Sequence, residues 1–175
     1  MSRDLIEQNR QLLQQASVLL DELDDDQFRG PAGRGGESAG VGPHLSHCID
    51  FYRCFLRDVD GGRVDYDRRQ RDPRLETERT VAAAALEEIN RGLDRVPESQ
   101  RRLEVRVDVS PTEPEGGAWS PSSVSRELRF LVSHTVHHYA LIAQVLRASG
   151  REPAAGFGVA PSTLAFWAEV EATEG

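Results

Sequence analysis

The chain has 175 residues, a formal net charge of −8, 38% hydrophobic residues and 29% charged residues. This length is typical of one domain with a sizeable core, and we predict a single domain over residues 1–175. The acidic balance argues against nucleic acid as a partner, and no apolar run approaches the roughly 20 residues of a membrane span.

The first predicted helix covers residues 2 to about 27. Its apolar residues recur at helical spacing and are Leu5, Leu12, Ala16, Leu19 and Leu23. Aspartates at 24–26 oppose the helix macrodipole, so we expect the helix to fray there. The glycine-rich stretch that follows is typical of a loop, and we predict that residues 28–42 are mobile.

A second helix is predicted from residue 43, where proline suits the first helical turn, to about residue 58. Two histidines, His44 and His47, lie at the border of its apolar stripe, with His44 nearer the centre. The stripe consists of Leu45, Cys48, Tyr52, Phe55 and Leu56.

The two cysteines, Cys48 and Cys54, lie about 240° apart around the axis of this helix, which is a poor alignment for a disulfide. The N-terminus also lacks the apolar core of a signal peptide. We therefore expect reduced thiols and a cytoplasmic protein. Because Cys54 lies two turns from His47 on one face, it is a candidate thiolate ligand, although a small core residue is favoured.

The next segments alternate between charged connections and regular structure. Residues 61–73 show no periodicity, and we predict mobility over residues 59–74. A third helix is predicted from about residue 75 to 95. Strict alternation over residues 103–109 predicts a short strand, although an extended crossover fits the alternation equally well.

A long fourth helix is predicted to begin with Ser120 as N-cap and Pro121 in the first turn. Gly150 stands where a glycine commonly ends a helix. A short final helix is predicted over residues 162–172, and we expect Leu164, Phe166 or Trp167 to pack against the other helices.

The fourth helix carries two histidines, His134 and His138, at positions i and i+4. At about 100° per residue both fall on the apolar side, with His138 near its middle, while His137 is displaced by roughly 60°. Side chains four residues apart lie about 5–6 Å from each other, so two imidazoles can bind one metal ion. Two core histidines are compatible with the same spacing, and Thr135 replaces the glutamate of an HExxH peptidase.

A complete metal site needs a third ligand from another helix. Four long helices predict an all-α, four-helix bundle with a short C-terminal helical extension, and such bundles build sites from facing helices. All five histidines of the chain lie in the second and fourth helices. On spacing alone, both His44 and His47 are candidates for the third ligand.

Two sequence stretches resemble the DinB/YfiT-like metalloenzyme family. They are residues 41–56 (VGPHLSHCIDFYRCFL) and residues 133–142 (SHTVHHYALI); residues 64–69 and 157–163 resemble one bacterial subgroup of that family. The resemblance covers nearly the whole chain and implies a four-helix bundle of the DinB/YfiT-like type. It also implies metal ligation by His47, His134 and His138, because Asp50 and an aromatic residue follow His47 at the family's spacing. Relatives often have a further histidine at the position of Phe51.

The resemblance also implies a class of chemistry. We expect a divalent ion, namely zinc, nickel or manganese with zinc or nickel favoured, that activates a low-molecular-weight thiol or water for attack on an electrophile. The expected activity is that of an S-transferase or hydrolase on a small-molecule substrate. The alternative is a non-catalytic accessory or stress-response protein that binds a metal or small ligand. A homodimer is compatible with the sequence.

Two further features have both a functional and a structural interpretation. The arginines Arg68, Arg69 and Arg71 could bind the carboxylates of an anionic thiol if their segment covers the metal, although such a run is more often a solvated connection. Glu127, two turns before His134, could hydrogen-bond a ligand imidazole, and the favoured alternative is a buried carboxylate paired with an arginine.

Overall fold

The computed structural model describes residues 2–30, 40–97, 100–107 and 118–174. This part of the chain is mostly helical and contains a small three-stranded sheet. The helices are α1 (Ser2–Glu22), α2 (Asp25–Arg29), α3 (Val41–Asp58), α4 (Arg74–Thr77), α5 (Arg79–Gly92), α6 (Val124–Ala148) and α7 (Pro161–Glu174). The strands are β1 (Arg63–Asp65), β2 (Arg102–Arg106) and β3 (Ser120–Ser123).

The four longest helices around the core contact one another in a ring. Helix α3 packs against α5 and α6, and α1 packs against the same two helices. The predicted apolar stripe of α1 is confirmed, because all five of its members are buried. Burial of such aliphatic side chains contributes about 1.5–3 kcal/mol each, so the ring is held mainly by the hydrophobic effect. No described helix is long and apolar enough to cross a bilayer.

The aspartates at 24–26 begin a helix instead of fraying the end of one. Helix α1 ends at Glu22, and Asp24 caps α2 by accepting a hydrogen bond from the backbone N–H of Gln27, at 2.7 Å. The Gln27 side chain accepts from the Asp24 backbone in return, which completes a capping box. Residues 31–39 of the predicted glycine-rich loop lie outside the described residues.

The sheet corrects the all-α prediction. The predicted strand is present as β2, which ends at Arg106, and residues 108 and 109 of the prediction lie outside the described residues. Strand β2 pairs in parallel with β1 and antiparallel with β3. Because Ser120 and Pro121 lie in β3, their prediction as the start of the fourth helix is wrong. Ser123 is the N-cap instead, and its hydroxyl accepts from the backbone N–H of Arg126. Gly150, with φ of 82°, follows the end of α6 as predicted.

The connection between α3 and α4 contains buried apolar residues, although most of its sequence is charged. Val59, Val64 and Tyr66 are all buried, so the reason for expecting mobility over residues 59–74 is wrong. The predicted third helix is divided, because α4 ends at Thr77, α5 begins at Arg79 and residues 93–95 form a 3-10 turn.

Of the three residues predicted to pack from the final helix, Leu164 is partly buried and the two aromatic residues are exposed. Helix α7 has the expected position, but Phe166 is 60% exposed and Trp167 is 46% exposed. The expectation that either aromatic packs against the other helices is therefore wrong. Leu164 is partly buried, and its side chain lies beside Gly156.

A close approach between α3 and α4 gives a test of this packing. A Cβ atom at Gly42 would lie 2.1 Å from the backbone oxygen of Glu76, whereas a Cβ at Gly61 would meet nothing within 4 Å. We expect Gly42→Ala to lower the free energy of unfolding by about 1–3 kcal/mol, as overpacking does, and Gly61→Ala to change it little. Urea denaturation followed by circular dichroism measures both. Equal effects of the two substitutions would contradict the packing of α4 on α3.

Candidate metal centre

The two histidines of α6 lie at the edge of its buried face. The middle of that face is occupied by Leu131, Thr135 and Tyr139, all at most 1% exposed. His134 and His138 are partly exposed, and His137 is exposed. The prediction that His138 lies near the middle of the buried side is therefore wrong. Thr135 and Tyr139 take the central positions because α6 packs on both α1 and α3, and the Tyr139 hydroxyl donates to the Leu12 backbone oxygen at 2.9 Å.

Helix α3 brings a third imidazole to this edge. The ring centroid of His47 lies 5.0 Å from that of His134 and 4.6 Å from that of His138. The His134 and His138 centroids are 4.7 Å apart. One nitrogen from each of these three residues lies within 4.8 Å of the other two. His47, His134 and His138 therefore form a three-histidine cluster, compatible with metal binding, across the α3–α6 interface.

The other candidate on α3, His44, lies beside the cluster. Its Nδ1 atom is 3.4 Å from Nδ1 of His138, and the two ring centroids are 5.6 Å apart. His44 thus contacts one member of the three-histidine cluster and is not part of it. This contact can orient the His138 ring, as outer hydrogen-bonding partners of metal-binding histidines do.

The nitrogens of the cluster fit a divalent cation. Nδ1 of His134 is buried and has no hydrogen-bond partner among the described residues. A buried polar atom without a partner costs free energy, and a cation that accepts the lone pair of a neutral imidazole would remove that cost. Imidazole is a common ligand of zinc, nickel, copper and iron, so the donor set suits several divalent metals.

The electrostatic surroundings keep these imidazoles neutral. Burial, followed by the positive charges of His47 and Arg69, lowers the pKa of His134 to about 4. Burial, followed by His134 and His47, lowers the pKa of His138 to about 3. The pKa of His47 is also lowered, first by burial and then by Arg69 and Arg71. Neutral rings are the form that binds metal, so at neutral pH a metal ion does not have to displace a proton from an imidazolium in the three-histidine cluster.

An aromatic ring and a guanidinium group lie behind the cluster. The Phe51 ring centroid is 4.2 Å from that of His134 and 5.0 Å from that of His47. The guanidinium of Arg69 lies over the Phe51 ring, with its central carbon 4.2 Å from the ring centroid. Nη1 of Arg69 donates to the Tyr66 backbone oxygen at 2.7 Å, which fixes the position of the side chain. A segment predicted as a mobile connection therefore contributes to the surroundings of the histidines.

Glu127 belongs to the scaffold. Its fully buried carboxylate accepts hydrogen bonds from the Tyr66 hydroxyl at 2.9 Å, from Arg126 at 2.8 Å and from the Ser122 hydroxyl. The interpretation as a buried carboxylate paired with an arginine is confirmed. These bonds connect the start of α6 to β3 and to the segment that carries Arg69.

Cys54 and Arg68 also lie outside the three-histidine cluster. The Cys54 thiol donates to the Asp65 backbone oxygen at 3.1 Å, and burial raises its pKa to about 12, so it is a core residue. The Arg68 side chain is 80% exposed and lies 3.7 Å from the Asp65 carboxylate. Tyr52, predicted as part of the apolar stripe of the second helix, is buried, and so is Tyr139.

Sequence reasoning used Asp50 only to align His47 with the family and gave its carboxyl no place near Arg69. This carboxyl lies one turn after His47, is 7% exposed, and has no hydrogen-bond partner for Oδ1 among the described residues. Burial raises its pKa to about 6, against the opposing charges of Arg69 and Arg53. An acidic residue three positions after a candidate ligand histidine was the available signal.

Comparison with known proteins adds one match. A family model described as the DinB family matches residues 1–162 of the chain. No curated protein and no solved structure matches the chain.

The lowered pKa values predict how the stability of the metal-free protein depends on pH. The unfolded imidazoles take up protons near pH 6.5, whereas His134 and His138 in the folded protein do so at about 4 and about 3. Because the unfolded state binds more protons between these values, the histidines make the folded state less stable as pH falls below 6.5.

We expect His138→Gln to lose less unfolding free energy between pH 7 and pH 5 than the unsubstituted protein. The raised pKa of Asp50 acts with the opposite sign in both proteins and cancels in the comparison to first order. Urea denaturation in the presence of a chelator provides the measurement. An equal or larger loss in the variant would contradict the lowered pKa of His138.

Proposed function

Because the chain belongs to the DinB family, we propose that it binds one divalent metal ion through the imidazoles of His47, His134 and His138. The observation that carries the proposal is the convergence of three imidazole nitrogens within 4.8 Å, together with the buried Nδ1 of His134, which has no hydrogen-bond partner in the described part of the chain. Zinc or nickel is the favoured ion and manganese the next candidate. The ring of four long helices is, on this proposal, the four-helix bundle of the DinB/YfiT-like type.

The chemistry we propose is activation of a thiol or a water molecule for attack on an electrophile, as in an S-transferase or hydrolase. A bound divalent ion lowers the pKa of a coordinated water or thiol. Three protein ligands, unlike the four of structural zinc sites, leave a position for such a molecule. The partial exposure of all three imidazoles supports access from solvent.

The residues of the chain contribute to this chemistry in two ways. Burial keeps the imidazoles of His134 and His138 neutral, so that protons do not compete with the ion at neutral pH. The positive charge of Arg69 also acts on the cluster, since it lowers the pKa of both His47 and His134. A positive field that disfavours imidazolium favours a thiolate or hydroxide there. We propose a small-molecule substrate, in keeping with the net charge of −8 that disfavours nucleic acid.

One observation favours a non-catalytic accessory role as the second candidate. Two cavities of about 680 and about 630 Å³ are lined by residues other than the three histidines. Both volumes lie in the range of small-molecule sites, so a small ligand could bind away from a structural metal.

Metal binding can be tested by single substitutions. We expect His47→Ala, His134→Ala and His138→Ala each to release most of the bound ion, because each removes one of three ligands. His137→Ala is the matched control and should keep it, since His137 is exposed and lies outside the three-histidine cluster. Elemental analysis of protein purified without a polyhistidine tag gives the stoichiometry.

The same series decides between the two histidines of α3. We expect His44→Ala to retain one ion per chain with an affinity about 10–100-fold lower, as for loss of an outer partner of a ligand histidine. Loss of the ion from His44→Ala but not from His47→Ala would assign His44 as the third ligand.

Catalysis is tested by mixing the metal-loaded protein with a thiol and a chromogenic aryl halide. We expect conjugation that requires the ion, and we expect His138→Ala to lower the rate by at least about 100-fold, as loss of a catalytic ion does. His137→Ala should retain the rate. A fully metal-loaded protein without activity toward several thiols and electrophiles would favour the accessory role.

A further inference from the structure

We propose that Arg69 forms an anion-binding subsite next to the three-histidine cluster, so that the substrate carries a carboxylate, phosphate or sulfonate group. This inference rests on the proposed metal-dependent function and adds the chemical class of its substrate. The arginine is singled out by its partial burial, by the absence of an ion pair with any described carboxylate, and by its contact with Phe51.

The first line of support is that Arg69 has no ion-pair partner among the described residues. Among the described arginine side chains, the others that are partly buried each lie within 4.0 Å of a carboxylate oxygen; these are Arg10, Arg53, Arg79, Arg106 and Arg151. Arg69 is partly buried and forms no ion pair with any described carboxylate, although the chain has 29 acidic residues. Its Nε is buried and makes no hydrogen bond to any described residue. The hydrogen bond from Nη1 to Tyr66 and the contact with Phe51 offset part of the desolvation cost, but neither neutralises the charge, and a ligand anion would do so.

Its position relative to the histidines is the second line of support. The Phe51 ring centroid lies 4.2 Å from the central carbon of the Arg69 guanidinium, and 4.2 Å and 5.0 Å from the ring centroids of His134 and His47. The guanidinium therefore lies within one aromatic ring of the three-histidine cluster. A small molecule that binds at the histidines with one end would therefore place an anionic group at its other end near Arg69.

A second arginine extends the positive region. Arg71 is exposed, forms no ion pair with a described carboxylate, and lowers the pKa of both Arg69 and His47. Two neighbouring guanidinium groups repel each other, and an anion between them relieves that repulsion. This local positive charge stands out on a chain with a net charge of −8.

Asp50 is the carboxyl group that could occupy the subsite from within the chain. The positive charges of Arg69 and Arg71 act to lower the pKa of Asp50. The Asp50 oxygens nevertheless lie beyond 4.0 Å from the Arg69 nitrogens, and Oδ1 has no hydrogen-bond partner among the described residues. The Asp50 carboxyl therefore forms no ion pair with Arg69, and because Nε is buried, a ligand anion would bind at the terminal nitrogens of the guanidinium.

The first test needs no metal. In metal-free protein labelled with ¹⁵N, the Arg69 Nε–H resonance, assigned by its loss in Arg69→Gln, is followed by NMR during titration with propionate. We expect a saturable shift with propionate and none with the neutral propionamide. A resonance that does not respond to propionate, or responds equally to both, would overturn the subsite.

The second test uses cobalt-loaded protein and two thiols, the anionic 3-mercaptopropionate and the neutral 2-mercaptoethanol. Thiolate binding is read from near-ultraviolet absorption. We expect a preference for the anionic thiol that falls about tenfold in Arg69→Gln, as for one charge-assisted hydrogen bond, and less in Arg69→Lys. Arg68→Gln is the matched control and should keep the preference.

The two tests separate this inference from the proposed function. A preference that is unchanged in Arg69→Gln would overturn the subsite while leaving metal binding intact. If the protein binds no cobalt, the proposed function fails, and the propionate titration alone decides whether Arg69 binds anions.

Discussion

The packing of α3 against α6 is the constraint on which the rest of the site depends. It places His47 beside the i, i+4 pair of α6, and it buries the shared edge enough to lower the pKa of all three imidazoles. The same interface seats Phe51 against His134. The closeness of the three histidines and the neutral state of their rings therefore have the same cause. Packing of the two helices brings the nitrogens together and removes the water that would stabilise imidazolium.

The small sheet has a positioning role that its size does not suggest. Strand β1 leads into the turn that carries Tyr66 and Arg69, and β3 leads directly into α6. Glu127 joins these parts, because it accepts hydrogen bonds from Tyr66 on one side and from Ser122 on the other. The scaffold thus fixes the backbone from which Arg69 extends over Phe51, and it brings to the cluster a guanidinium that no carboxylate of the described ranges neutralises.

The sequence predicts the long helices and the histidine pair well, because both depend on spacing within one element. Features that depend on tertiary contacts were missed. Strand β1 has three residues with two charged members, and the Ser120-Pro121 step of β3 is typical of a helix start. Thr135 is 1% exposed although threonine gives no apolar signal, so the helical wheel placed His138 too near the centre of the buried face. The proximity of Arg69 to Phe51 joins residues 18 apart and has no local signature.

The central claim is that three imidazoles from two helices hold one divalent ion, and crystallographic anomalous scattering tests it most directly. Data collected above and below the absorption edges of zinc, nickel and manganese, on crystals of protein purified without a polyhistidine tag, locate and identify a bound metal. The account predicts a single anomalous peak bonded to His47, His134 and His138, at about 2.0–2.1 Å per nitrogen for zinc. A peak that excludes His47 or includes His137, or crystals of metal-supplemented protein without any peak at this edge, would contradict it.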